Sequence, residues 1–483
     1  MDDIMRTAAY VTPSPRQLAW QRLEFYAFIH FGVNTFTNRE WGTGIEDPAV
    51  FNPRDLDARQ WVAAFKDAGM RGLILTAKHH DGFCLWPSAH TDHSVASTPW
   101  REGQGDVVAE VATACREGGL EFGIYLSPWD RHEPSYGDSP RYNQHFRAQL
   151  RELLTGYGPL FSVWFDGACG EGPNGRRQVY DWESAYSLIR ELQPNAVISI
   201  CGPDVRWCGN EAGHCRPSEW SVVPASLQDR EKIAERSQHA GDGAFAVRVD
   251  TQDDDLGSRE RLLSASAGAP VPLVWYPAEV DTSIRPGWFY HPEDDVKVRS
   301  LSELLDIYYG SVGGNATLLL NVPPDRRGRI HEADVARLRE LGQALRATFD
   351  RNLAQGAVAT ADSTRQPESR YAAARILDGQ DDTFWMSPPG QETASLELCL
   401  PEPRQFNVVM LQEAITHGQR VERVRVSVIP EDGAGEWQVI GETTTVGYKR
   451  LMRIPPVTTQ RVRIEILASR IAPTLSAVGL YCG

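Results

Sequence analysis

The chain has no run of about 18 apolar residues that could cross a membrane. Its first residues, Met1-Asp2-Asp3-Ile4-Met5-Arg6, lack the apolar core of an export signal. The expectation is a soluble protein, cytoplasmic or at least unanchored, with no membrane partner. Positive charge is also short: 49 Lys and Arg against 64 Asp and Glu give a formal charge of -15. Nucleic acid and anionic lipid both require a basic patch, so neither is expected as a partner, and a neutral substrate suits the chain better. Arg far outnumbers Lys, which a codon bias in the source genome explains more simply than a set of anion sites. The eight cysteines contain no CxxC pair. A chain of this length needs no staples, so reduced thiols are expected. Cys208, His214 and Cys215 match no common zinc spacing, and no metal or cofactor is expected.

What is present is an ordinary globular composition, 41% hydrophobic and 23% charged over 483 residues, long enough for two domains. Over roughly the first 350 residues, short β-branched or aromatic runs alternate with segments of helical period, the pattern of βα units around a parallel sheet. Strands are expected at 25–31, 72–77, 120–126, 161–165 and 196–201, with further apolar runs at 272–276 and 316–322. Helices are expected from Asp57, whose side chain caps the free amides while Gln60 reaches back, and over 106–117, 143–154, 182–192 and 332–349. Ser300 with Glu303 marks one more helix start. Six or seven strands fit a (β/α)8-like TIM barrel that lacks or distorts a unit. In such barrels the groups that do chemistry sit at the carboxyl ends of the strands. His30, His79, His80, Tyr125 and Asp166 all occupy that kind of position.

Beyond the last of these helices the texture changes. Val424, Val426 and Val428, then Val462, Ile464 and Ile466, alternate with period two, and Gly/Pro turns separate such runs. A C-terminal β-sandwich over 353–483 is expected after a catalytic barrel over 1–352.

Asp166 follows two bulky aromatics at a buried strand end and precedes Gly167, which lets a ligand approach the carboxylate closely. A carboxylate there is costly unless it is paired or used. Glycoside hydrolysis takes two carboxyl groups, one ionised and one held protonated. The loop 206–220 offers Glu211 and Glu219 among glycines and tryptophans; Glu279 and Asp281, after a later apolar run, are further candidates. Adjacent histidines in an extended strand point opposite ways, so His79 and His80 suit sugar hydroxyls better than a shared zinc ion. Trp41, Trp129, Trp164, Trp207, Trp220 and Trp288 could form a wall on which a sugar stacks.

Five segments in this order carry a resemblance: His30-Phe31-Gly32, Glu40-Trp41, the run 77–83 (Ala-Lys-His-His-Asp-Gly-Phe), Trp164-Phe165-Asp166-Gly167, and the run 320–325 followed by Gly328. Together they resemble the α-L-fucosidases of glycoside hydrolase family 29 over the whole barrel. The resemblance implies that Asp166 is the nucleophile of a retaining double displacement. It implies that His30, Glu40, Trp41, His79, His80 and Trp164 line a fucose pocket, with Tyr125 and Trp129 beside them. Gly209-Asn210-Glu211-Ala212-Gly213 is similar to the branch that cleaves α-1,3/1,4-linked fucose from branched, Lewis-type oligosaccharides, which selects Glu211 over Glu219 as acid/base. Arg216, Glu279, Asp281 and Trp288 are then expected around the neighbouring sugar. The segment 373–385 resembles discoidin-like sandwich modules. A fucosylated oligosaccharide is the expected partner; the oligomeric state is left open. The alternatives are a fucosidase of broad or α-1,2 specificity, a non-catalytic fucose-binding protein on the same fold, and a metal-dependent hydrolase.

Overall fold

A computed structural model describes residues 3–229, 255–267, 270–380, 382–431 and 435–483. Eight parallel strands form the barrel: β1 (Phe25–Ile29), β2 (Gly72–Lys78), β3 (Glu121–Leu126), β4 (Ser162–Phe165), β5 (Val197–Ile200), β6 (Arg206–Trp207), β7 (Ala278–Ser283) and β8 (Thr317–Asn321). Their order is β5-β4-β3-β2-β1-β8-β7-β6. One parallel bridge, Ser199 with Val205, nearly closes the ring between β5 and β6. All residues of β1, β2, β4, β5, β7 and β8 are buried, as parallel strands covered by helices must be.

The strand count of six or seven was too low, and the reason lies in β6. It is two residues long and follows β5 with no helix between them, so no periodic pattern announces it. Asp204 holds the tight reversal: its carboxylate accepts from Ile198 N at 2.8 Å and pairs with Arg16 and Arg190. The run 272–276 is not a barrel strand either. Leu273–Trp275 pairs antiparallel with Val222–Pro224 in a separate two-stranded sheet, and β7 is the following Ala-Glu-Val-Asp-Thr-Ser. That sequence reads as polar because its acids and hydroxyls face partners inside the barrel.

Helices pack outside the strands. Asp57 caps Ala58–Ala68 by accepting from Gln60 N at 3.0 Å. The Gln60 side chain does not reach back to the cap; its amide bonds Ile330 N and O, tying the loop after β8 to this helix. Val107–Gly118 is capped by Asp106 in the same way, and Leu301–Ser311 starts with both halves of a capping box. Among the described residues no helix is long and apolar enough to cross a membrane.

The helix Glu332–Phe349 leads into an antiparallel sandwich. Its main strands are β9 (Val358–Ala361), β10 (Ala394–Gln412), β11 (Val421–Pro430), β12 (Gln438–Thr443), β13 (Arg450–Ser469) and β14 (Ala477–Tyr481). The order is β9-β10-β13-β11-β12, with β14 against β10. Val424, Val426, Val428, Val462, Ile464 and Ile466 are buried in its own core, as their alternation predicts. The sandwich docks on the barrel through Leu451 N to Gly313 O at 2.9 Å, Lys449 with Glu24 at 2.6 Å, and Arg453 with Asp306 at 2.7 Å. All eight cysteines are free thiols.

Candidate active site

His30 follows β1, His79 and His80 follow β2, Tyr125 lies near the end of β3, and Asp166 follows β4. Strand ends therefore bring together residues that are far apart in sequence. His79 and His80 do not point opposite ways: their ring centroids are 4.1 Å apart. The strand stops at Lys78, and the turn through Gly82, at φ +81°, bends the backbone so that both rings face one side. A continuous aromatic wall results. Trp288 contacts His30 at 5.1 Å, His30 contacts His79 at 5.4 Å, and His80 contacts Trp129 at 5.3 Å and Trp41 at 5.4 Å. Trp41 is 39% exposed and forms the outer rim.

Asp166 keeps a quarter of its side chain open to solvent (25%). Tyr125 donates its hydroxyl to Oδ2 at 3.0 Å and Ala168 N donates to Oδ1 at 2.8 Å. Burial, then the charge of Asp166, push the Tyr125 hydroxyl well above its ordinary range, so it stays a donor. His80 Nε2 lies 3.7 Å from Asp166 Oδ2.

The hydrogen-bond network fixes two tautomers. The Asn321 amide donates to Ser283 Oγ at 2.9 Å and Trp288 O at 2.8 Å, so its oxygen accepts from His30 Nδ1 at 2.9 Å. Ser127 Oγ donates to Trp129 O at 2.7 Å and therefore accepts from His80 Nδ1, also at 2.7 Å. Burial lowers the pKa of His30 to about 4 and lowers that of His80, leaving both neutral at pH 7. Each then presents a bare Nε2, an acceptor for hydroxyl donors. Among the described residues no group of His, Cys, Asp and Glu is arranged to hold a metal ion.

Glu211 sits on the loop after β6, its backbone oxygen held by Thr282 Oγ1 at 2.8 Å. Burial, then the charge of Asp166 and more weakly that of Glu40, raise its carboxyl to about 7, against a hydrogen bond from Trp288. Glu219, on the same loop, is buried between the guanidinium groups of Arg206 and Arg216. Arg216 is committed to this scaffold, also donating to Cys208 O at 2.8 Å. Glu40 holds the loop that carries Trp288: its carboxylate accepts from Trp288 N at 2.8 Å, Phe289 N at 3.2 Å and His291 Nε2 at 2.6 Å.

One expected position stands elsewhere, and a second is closed off from solvent. Glu279 is not at the mouth: it is 0% exposed inside the barrel, accepting from Trp164 Nε1 at 2.6 Å and from the Tyr26 hydroxyl. A residue second in its strand lies toward the amino end, away from the loops. Asp281, two residues on, is buried and accepts from Trp207 Nε1 at 2.6 Å; burial and then Glu211 hold its carboxyl well above the usual range. Asn321, Ser127 and His291 escaped notice as site residues although each orients a group that faces the pocket. Asn321 lay within a quoted motif; nothing local marks the other two.

This arrangement, a carboxyl held by Tyr125 and a second, half-buried carboxyl whose surroundings favour its proton, beside an aromatic wall, suits glycosidic bond cleavage. A family model described as Alpha-L-fucosidase matches residues 19–348, and an F5/8 type C domain model matches 358–477. Alpha-L-fucosidase 1 of Arabidopsis thaliana is 42% identical over 97% of this chain and 87% of its own length. A solved structure from Bacteroides ovatus shares 47% identity at a TM-score of 0.83, covering 99% of this chain and 76% of that one. A Ruminococcus gnavus GH29 fucosidase, solved in complex with fucose, shares 32% identity at a TM-score of 0.84, covering 98% and 95%. With the family model over the barrel and these relatives over nearly all of the chain, the protein belongs to the alpha-L-fucosidase family and is a glycoside hydrolase.

Proposed function

We propose that the protein is a retaining α-L-fucosidase that removes terminal α-1,3/1,4-linked L-fucose from branched, Lewis-type oligosaccharides. The observation that carries this is the unequal pair of carboxyls. Asp166 is open and held by Tyr125, while Glu211 keeps its proton to about pH 7, partly through the charge of Asp166. A carboxylate nucleophile beside an acid whose surroundings hold its proton is what a two-step glycosidase needs. Asp166 attacks the anomeric carbon, and Glu211 gives its proton to the departing glycosidic oxygen, so that a fucosyl ester forms as the C–O bond breaks. Glu211, now ionised, then takes a proton from water, which attacks the anomeric carbon of the ester and displaces the Asp166 carboxylate. Two inversions retain the configuration.

The bare Nε2 atoms of His30 and His80 accept from fucose hydroxyls, and Trp288 and Trp41 cover the apolar face of the sugar. The fucose bound to the Ruminococcus gnavus relative supports that occupant. The linkage preference rests on the loop Gly209-Asn210-Glu211-Ala212-Gly213 and on its resemblance to the α-1,3/1,4 branch.

Azide separates the two roles. Glu211→Ala turning over an activated aryl fucoside should release fucosyl azide of the substrate's configuration, and Asp166→Gly the opposite anomer. Normal hydrolysis by Asp166→Ala, or inverted fucose as the first product of the unaltered enzyme, would refute the mechanism. Faster cleavage of an α-1,2 fucoside than of a Lewis trisaccharide would refute the linkage.

A further inference from the structure

The loop from 208 to 221 has its two ends in different hands. Near Glu211 it is tied to the barrel by Thr282. Its other end is gripped by the sandwich. Gln419 accepts from Ser221 N at 2.8 Å and donates to Glu219 O at 3.2 Å, and its amide is itself set by Thr445 Oγ1 at 2.7 Å. Arg450 donates to Pro217 O at 3.1 Å, Thr444 meets the Ser218 hydroxyl at 2.6 Å, and the Arg470 guanidinium lies 3.8 Å over the Trp220 ring. The barrel's Asn315 joins the two bodies: it donates to Glu219 O at 2.8 Å and accepts from Tyr448 N at 2.7 Å.

The gripping side is itself braced. Glu413, fully buried, accepts from Arg420 N at 2.7 Å, Val421 N at 2.9 Å and Gly447 N at 2.7 Å. One carboxyl thus pins both sandwich segments that reach the loop, the one carrying Gln419 and the one running 444–448. Gly447 allows the approach, since a Cβ there would lie 2.2 Å from Asn315 Cγ. A surface module joined only by a linker has no use for a buried amide bonded to the backbone of a barrel loop.

We infer that the sandwich is a positioning element for the acid/base loop: Gln419, Arg450 and Thr444 hold 217–221 so that Glu211, ten residues or fewer away along the same loop, stays aimed at the glycosidic oxygen. This rests on the reading of Glu211 as acid/base. A misplacement of about 1 Å costs about 10²-fold in a positioned proton transfer.

The test compares kcat/KM on two fucosides with the full-length protein. A nitrophenyl leaving group departs without a proton, whereas a sugar leaving group requires one. Gln419→Ala should lose about 10- to 100-fold on a fucosyl disaccharide and less than about threefold on the nitrophenyl fucoside. Val426→Ala, which loosens the sandwich core away from the loop, should leave the ratio between the two substrates unchanged. Equal losses on both substrates, or none on either, would overturn the clamp. Glu211→Gln measures the reading beneath it: if that variant does not itself discriminate between leaving groups, the acid/base assignment falls instead. Hydrogen exchange keeps the two apart, because Gln419→Ala should speed exchange in 208–221 and leave 166–168 unchanged whatever Glu211 does. Unaltered exchange in the loop would refute the clamp alone.

Discussion

Glu279 is a carboxylic acid sealed inside a barrel, and its replacement gives a sharp forecast. The Trp164 indole donates to one oxygen and the Tyr26 hydroxyl meets the other, while Tyr26 also meets Thr317 Oγ1 at 3.0 Å. The Tyr26 hydroxyl donates to the Glu279 carboxylate; when Glu279 is protonated its O–H donates to Tyr26 instead, Tyr26 turns to donate to Thr317, and every group is satisfied. Burial raises its carboxyl from an ordinary 4.5 to about 7. The folded pKa is above the unfolded one, so the stabilisation is complete below about 4.5 and is lost as pH rises through about 7. The loss is about 3 kcal/mol at about 1.4 kcal/mol per pH unit. Glutamine reproduces the neutral pattern, its oxygen accepting from Trp164 and its amide donating to Tyr26. Glu279→Gln should therefore match the unaltered protein near pH 4.5 and exceed it by about 3 kcal/mol at pH 8. Glu279→Ala should lose about 3–6 kcal/mol at pH 4.5, from an orphaned indole N–H and a cavity. Urea titrations followed by tryptophan fluorescence at the two pH values measure these differences. A Gln variant with the same pH slope as the parent would refute the assignment of a buried proton. Trp164 stacks on Tyr125 at 5.2 Å, and Tyr125 holds Asp166. The Ala variant should for that reason also lower kcat.

Other outcomes are open to direct measurement. With Glu211 as the proposed acid, kcat/KM on oligosaccharides should fall about tenfold per pH unit above about 7; a profile flat to pH 9 would count against that role. Glu219→Ala leaves Arg206 and Arg216 without their buried counter-charge and should cost about 3–5 kcal/mol in urea titrations. Glu219→Gln, where it folds, should keep most activity, unlike Glu211→Gln, and a matching loss would exchange their roles. Glu40→Ala frees the backbone N–H groups of Trp288 and Phe289 and should raise KM about tenfold with a smaller change in kcat; an unchanged KM would show that the loop holds itself.

Much of the barrel was legible because its signals are local. Asp57, Asp106 and Ser300 cap helices within three residues of themselves, and most of the buried parallel strands are short, mainly apolar runs. β6 was invisible since two residues carry no period. Glu279 and Asp281 are expected after a strand rather than within one, because an acid inside a barrel is tolerable only with partners such as Tyr26, Trp164 and Trp207, which come from elsewhere in the chain.

By itself the sequence determined that a parallel barrel precedes a sandwich and that Asp166 stands at a strand end, since strand, aromatics and glycine are contiguous there. A resemblance singled out Glu211 from Glu219 in the sequence, and the tertiary structure adds the physical difference between their surroundings. Glu219 is enclosed by Arg206 and Arg216, while Glu211 is half-buried, and the charges that act on it, Asp166 and Glu40, are both negative. Whether a carboxyl keeps its proton depends on burial and on charges folded in from distant segments, and neither is written at its own position.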